Sequence, residues 1–128
     1  MAAALTACQQ NPFLAEWDTP YGIPPFDKIQ NSDYMPAILK GIELQNAEIQ
    51  AIVDNPEAPT FENTVAAYDR SGLVLEKVCN VLFNISESDY SDELNAIVEE
   101  ATPMVSEHSD IIRTGRNLFC FSRRLSAF

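Results

Sequence analysis

An all-α fold, a small antiparallel helical array preceded by an extended arm rich in proline and aromatic residues, is what this sequence predicts. Three observations carry that prediction. Apolar residues recur at three- and four-residue steps in three separate stretches, the period of a helix with one buried face. Only four glycines occur in 128 residues, too few for an architecture of sheets and tight turns. Most of the prolines fall between the periodic stretches or near their starts, where they punctuate helices.

The totals set the frame. A chain of 128 residues, 46% apolar, is long enough for one domain with a modest core. A net charge of -11 repels nucleic acid and anionic lipid headgroups, so no nucleic-acid partner is expected. The charge is unevenly placed: every Asp and Glu lies at or before Asp110, whereas Arg113, Arg116, Arg123 and Arg124 crowd the last stretch. The organisation that follows is a truncated lipoprotein signal or tether over 1–11, a helical domain over 12–119 and an atypical basic tail over 120–128.

In chain order, the first feature is Leu5-Thr6-Ala7-Cys8, similar to a bacterial lipobox, with Cys8 as the lipidation residue and the polar Gln9-Gln10-Asn11 as tether. The alternative is a leader that contains a cysteine by chance, since no basic n-region or full apolar h-region precedes it. An acylated Cys8 implies export, to the periplasm or to a membrane-anchored lipoprotein; without acylation the chain is expected in the cytoplasm. No uninterrupted apolar run reaches membrane-spanning length.

Pro12, Pro20, Pro24 and Pro25, interleaved with Phe13, Trp17, Tyr21 and Phe26, make the next segment extended. Its rings are expected to lie across the helices as anchors, with an exposed aromatic ligand platform as the alternative. A first helix then starts at Asn31 or Ser32, with Asp33 in its first turn and Pro36 early enough to be tolerated. Its apolar face is Met35, Ile38, Leu39, Ile42, Ile49, Ile52 and Val53.

Pro56 and Pro59 stop that helix near Asp54 or Asn55, and Thr60 is placed to cap a second one, with Glu62 favoured by the helix dipole. The second helix runs to about Asn84 or Ser86 with a break expected near Ser71-Gly72. Phe61, Val65, Tyr68, Leu75, Cys79 and Leu82 form one apolar stripe, and Ala67, Val74, Val78, Val81 and Ile85 another. A helix apolar on two sides is the centre of the bundle or a surface awaiting a partner. Ser91 or Asp89 caps a third helix with the stripe Leu94, Ile97, Val98, Ala101, Val105 and Ile112, bent at Pro103. His108 on this stripe reads as a packed or hydrogen-bonded core residue.

No catalytic, cofactor-binding or metal-ligating residue emerges. One histidine cannot supply the two imidazoles of a zincin helix, and the three cysteines, Cys8, Cys79 and Cys120, lack metal-site spacing. Cys79 reads as a buried thiol acting as a small hydrophobe. There is no phosphate loop or dinucleotide fingerprint, and Glu99-Glu100 reads as a solvated face.

One stretch is more specific. Asn55-Pro56-Glu57-Ala58-Pro59-Thr60-Phe61-Glu62-Asn63-Thr64, with Pro25-Phe26-Asp27-Lys28-Ile29 and Asp33-Tyr34-Met35-Pro36-Ala37 before it, resembles the N-terminal region of bacterial peptidyl-dipeptidases of the Dcp type. These belong to the thimet-oligopeptidase family of zinc metallopeptidases. The resemblance extends upstream to Asn11-Pro12-Phe13 and downstream through Asn84 and the segment 103–110. It implies a nearly all-helical enzyme with a deep channel, in which a zinc site elsewhere cleaves short peptides. No zinc-binding or catalytic residue carries over to any position here, and zinc is a cofactor of the full-length family alone. The resemblance fades after Leu118-Phe119, which with the charge reversal suggests a chain cut short, as by a frameshift, or a genuine basic tail.

Two functions follow as expectations. The first is an N-terminal channel-wall domain of a peptidyl-dipeptidase-like enzyme, inactive alone, whose partners are the C-terminal catalytic region and short peptides. The second is a small cell-surface lipoprotein that binds a peptide or protein partner through apolar helix faces.

Overall fold

The computed structural model describes residues 10–89 and 91–114. Cys8 with its lipobox, Cys120 and the segment 120–128 lie outside the described residues. Within them the chain is helical without a strand: a 3-10 turn at Pro20–Gly22, helix α1 (Asn31–Val53), a π-helical turn (Phe61–Ala66) continued by a short α2 (Ala67–Asp69), then α3 (Leu73–Ser88) and α4 (Asp92–Thr114). The all-α expectation holds.

Helix α1 starts one residue earlier than the capping residues suggest. Gln30 is its N-cap, and the Asp33 carboxylate accepts from the Gln30 backbone N–H at 2.8 Å. Pro36 and Pro103 both sit inside continuous helices. Each removes one i→i−4 bond, and both prolines, with Ser32 and Glu99 whose carbonyls lose the donor, are exposed to water that can replace it.

The buried face of α1 is Tyr34, Ala37, Ile38, Gly41, Ile49 and Ile52, so Leu39, expected inside, is 52% exposed. A step of one residue turns the helix by 100°, and with Ile38 facing inward Leu39 points to the side. Gly41 is the point of closest approach: a Cβ there would lie 2.9 Å from the Leu75 Cα. Only a residue without a side chain lets the α1 and α3 backbones meet so closely.

The helices run up, down and up. Near the start of α1, Asn31 Nδ2 donates to Glu93 Oε2 at 2.9 Å; farther along, Gln45 meets His108, and near the end Ile49 and Ile52 pack with Ile112. Helices α1 and α4 are therefore parallel, and α3 between them in sequence runs against both. It is α1, rather than the second apolar segment, that packs against both other long helices most extensively.

The corner at 55–64 forms as its residues dictate. Thr60 Oγ1 accepts from the Asn63 N–H at 3.1 Å, and Asn63 Oδ1 accepts from the Thr60 N–H at 2.8 Å, a reciprocal capping box closed by asparagine instead of glutamate. The first turn is wider than expected: the Ala67 N–H reaches the Glu62 carbonyl five residues back. The expected break falls at Gly72, whose φ of 78° is left-handed.

The arm is fastened by its first aromatic pair. Phe13 is buried, with its ring centroid 5.2 Å from that of Tyr34 and 6.4 Å from that of Trp17. Asn11 Nδ2 donates to the Asp33 carbonyl at 2.8 Å, and Trp17 Nε1 to the Pro12 carbonyl at 3.0 Å. Tyr21 and Phe26 do not anchor: their exposures are 100% and 53%.

Candidate functional site

Two concave features flank α3. The first lies where the core divides. Phe13, Tyr34, Ile38, Val78, Leu82 and Leu94 belong to a main apolar cluster, and Ile49, Ile52 and Ile112 to a smaller one. Between them lies a polar layer. On α1 the apolar spacing Ile38, Ile42, Ile49 is interrupted at Gln45, and on α4 the spacing Leu94, Ala101 continues to His108. These two positions meet across the bundle: His108 Nε2 and Gln45 Oε1 are 2.9 Å apart. With Oε1 as acceptor, the ring carries its proton on Nε2. The side chain is buried, and desolvation holds its pKa below the ordinary histidine value, so the neutral ring is favoured.

The same layer holds the turn before α3. The Gly72 N–H donates to Glu48 Oε2 at 2.7 Å, and a Cβ on Gly72 would lie 2.3 Å from Gln45 Nε2. Glutamine and glutamate three residues apart on α1 thus seat the histidine and the glycine turn together. The cleft beside them is about 360 Å³, lined by Tyr68, Ser71, Glu76, Cys79, Ser109 and Arg113 among others. Its thiol is not a nucleophile at neutral pH: burial pushes the Cys79 pKa up to about 11. The one imidazole is already hydrogen-bonded. This set suits holding helices in register more than bond breaking.

The second feature is a groove of about 440 Å³ between the arm and α3, lined by Trp17, Pro24, Phe26, Lys77, Val81 and Ile85, with Asn80 and Asn84 also at its wall. Lys77 fastens the arm to the helix. Its Nζ lies 3.6 Å from the Trp17 ring centroid and donates to the Ala15 carbonyl at 3.2 Å. Burial draws its pKa down, against the opposing field of Glu16. Beside the groove, Tyr21 adopts φ 62° and ψ 16° with its ring wholly exposed. A left-handed residue other than glycine costs roughly 1–3 kcal/mol, which no contact of this ring offsets.

Among the described residues no three His, Cys, Asp or Glu side chains converge as a metal site requires. The described residues therefore offer no site for the zinc that the family resemblance implies. Cys8 lies outside the described residues. His108 is the hydrogen-bonded core residue that its place on the stripe implied; what escaped the sequence reading is its partner Gln45, a polar residue at an apolar register position of α1. The groove had no such signal, because the arm's course over α3 is not periodic.

No protein-family model matches the chain. Curated proteins do. A dipeptidyl carboxypeptidase of Escherichia coli (strain K12) is 38% identical over 109 residues, 85% of this chain and 16% of that protein. The dipeptidyl carboxypeptidase of Salmonella typhimurium is 36% identical over the same share of each chain. More distantly, oligopeptidase A of Escherichia coli is 26% identical over 85% of this chain and 15% of its own length. The resemblance carried by the corner at 55–64 is thus a homology over most of the chain, which spans about a sixth of the length of the relatives it matches.

Proposed function

We propose that this chain, homologous over 85% of its length to dipeptidyl carboxypeptidases, is the helical channel-wall part of an enzyme that cleaves short peptides. By itself it hydrolyses none. The observation that carries the reading is the match itself: 109 residues align with 16% of a peptidase. The rest of the relative's length is where its chemistry would reside. The geometry agrees in kind. The clusters, the polar layer and the close packing of α1 on α3 at Gly41 suit a stiff wall, while the only described imidazole and thiol are committed to packing.

In the whole enzyme, zinc would supply the Lewis acid that activates water and polarises the peptide carbonyl. This chain's contribution is to exclude folded substrates by the shape of its wall. The test is hydrolysis of short peptides by the purified chain with added zinc. No turnover is expected; turnover abolished by a chelator would overturn the claim of inactivity.

A further inference from the structure

We propose that the cleft beside the polar layer binds a small zwitterion with a free ammonium and a free carboxylate, an α-amino acid or a dipeptide. Three observations converge on it. Charges of opposite sign stand on its two helical walls, Glu76 on α3 and Arg113 on α4, and neither forms an ion pair among the described residues. The cleft is also lined by polar groups with unused hydrogen-bonding capacity. His108 is 6% exposed and donates from Nε2 to Gln45 Oε1, which leaves Nδ1 an acceptor that no donor among the described residues reaches. The half-buried Ser109 hydroxyl has no partner among them either. Finally, the cleft is about 360 Å³, within the roughly 300–1,000 Å³ of small-molecule sites, and Leu75, Val105 and Ile112 give it an apolar wall.

The class of ligand follows from what these groups lack. The Glu76 carboxylate and the Nδ1 lone pair both need N–H donors, which an ammonium carries in number. The Arg113 guanidinium and the Ser109 hydroxyl both need an acceptor, which a carboxylate supplies in the planar form that suits arginine. A ligand of one charge would pair with one wall and leave the other unmatched; a zwitterion pairs with both. Burial keeps the His108 ring neutral, so Nδ1 stays an acceptor at neutral pH. The Cys79 thiol is neutral too and forms wall only. A phosphate-rich ligand would meet one arginine against one carboxylate in a chain of net charge -11. The inference needs this chain alone, so it stands or falls separately from the peptidase reading.

The test is calorimetric titration of the full 128-residue chain at neutral pH with alanine and with alanyl-alanine, each also with its ammonium acetylated or its carboxylate amidated. Saturable one-to-one binding of at least one free form is expected, and the tighter of the two identifies whether the site takes an amino acid or a dipeptide. Blocking either charge should weaken binding about tenfold, as loss of a charged hydrogen bond does. Arg113→Gln should weaken the free form about tenfold and leave the amidated form as in the parent; Glu76→Gln should behave likewise toward the acetylated form. Both positions are exposed, and an unchanged circular dichroism spectrum confirms that the variants fold. In isotope-labelled chain the Nδ1 resonance of the single histidine should move on saturation. Absence of saturable binding, equal affinity for free and blocked forms, or folded variants that weaken every probe alike would overturn the proposal. So would an Nδ1 resonance that stays in place at saturation.

Discussion

Replacing Gly41 with alanine sets two effects of opposite sign against each other. In a helix interior alanine is favoured over glycine by about 1 kcal/mol, so a solvent-facing Gly41→Ala would stabilise. Gly41 faces α3 instead. Its new Cβ would lie 2.9 Å from the Cα of Leu75 and 3.0 Å from both its Cβ and its backbone N. Carbon atoms rest at roughly 3.5–4.0 Å, so the helices must part locally by about 0.5–1 Å. Two of the three clashing atoms are backbone and cannot turn aside. Overpacking of this kind costs about 1–3 kcal/mol, and the opened seam forfeits a quarter to a half of the nearby dispersion contacts, roughly. The unfavourable side wins, with a net loss of up to about 2 kcal/mol. Urea unfolding followed by far-ultraviolet circular dichroism should show a lower midpoint at an unchanged slope. Asn46→Ala, at an exposed position of α1, is the control and should gain about half a kcal/mol. A midpoint for Gly41→Ala at or above that of the parent would refute the close approach of α1 and α3.

Thr60→Ala removes the acceptor for the Asn63 N–H and should cost about 1 kcal/mol in the same assay. The His108 pKa is lowered on folding, so the unfolded chain binds the proton more readily; stability is full above the unfolded value near 6.5 and falls as pH drops through it toward the folded value. Urea midpoints measured across that window should decline in the parent and stay level in His108→Gln. Lys77→Ala removes a cation over Trp17 and a tie to Ala15, so Trp17 fluorescence should become more readily quenched by acrylamide while helix content is kept. Incorporation of labelled palmitate on expression in bacteria, lost in Cys8→Ser, would be the signature of the lipobox; labelling that persists in the variant would remove Cys8 from the proposal.

How much of this was legible depends on whether the signal was local. Helix starts and stops are local: Pro56, Pro59 and Thr60 act within one turn, and the corner formed where they placed it, although the cap closed through Asn63 and the first turn widened to a π turn. Position in the bundle is not local. Two apolar stripes on the second segment left it as either the bundle's centre or a surface awaiting a partner; it is α1 that packs on both other long helices, and Gly41 allows α3 a closeness that no periodicity records. Gln45 and His108 were each visible as polar residues at apolar register positions, but their separation of 63 in sequence hides the pairing. The arm shows the limit most plainly. Phe13 and Trp17 anchor as aromatic residues beside prolines should, while Tyr21, of the same chemical type, stands in solvent on a strained backbone. Composition cannot separate the two roles, because what distinguishes them is whether polypeptide lies against the ring.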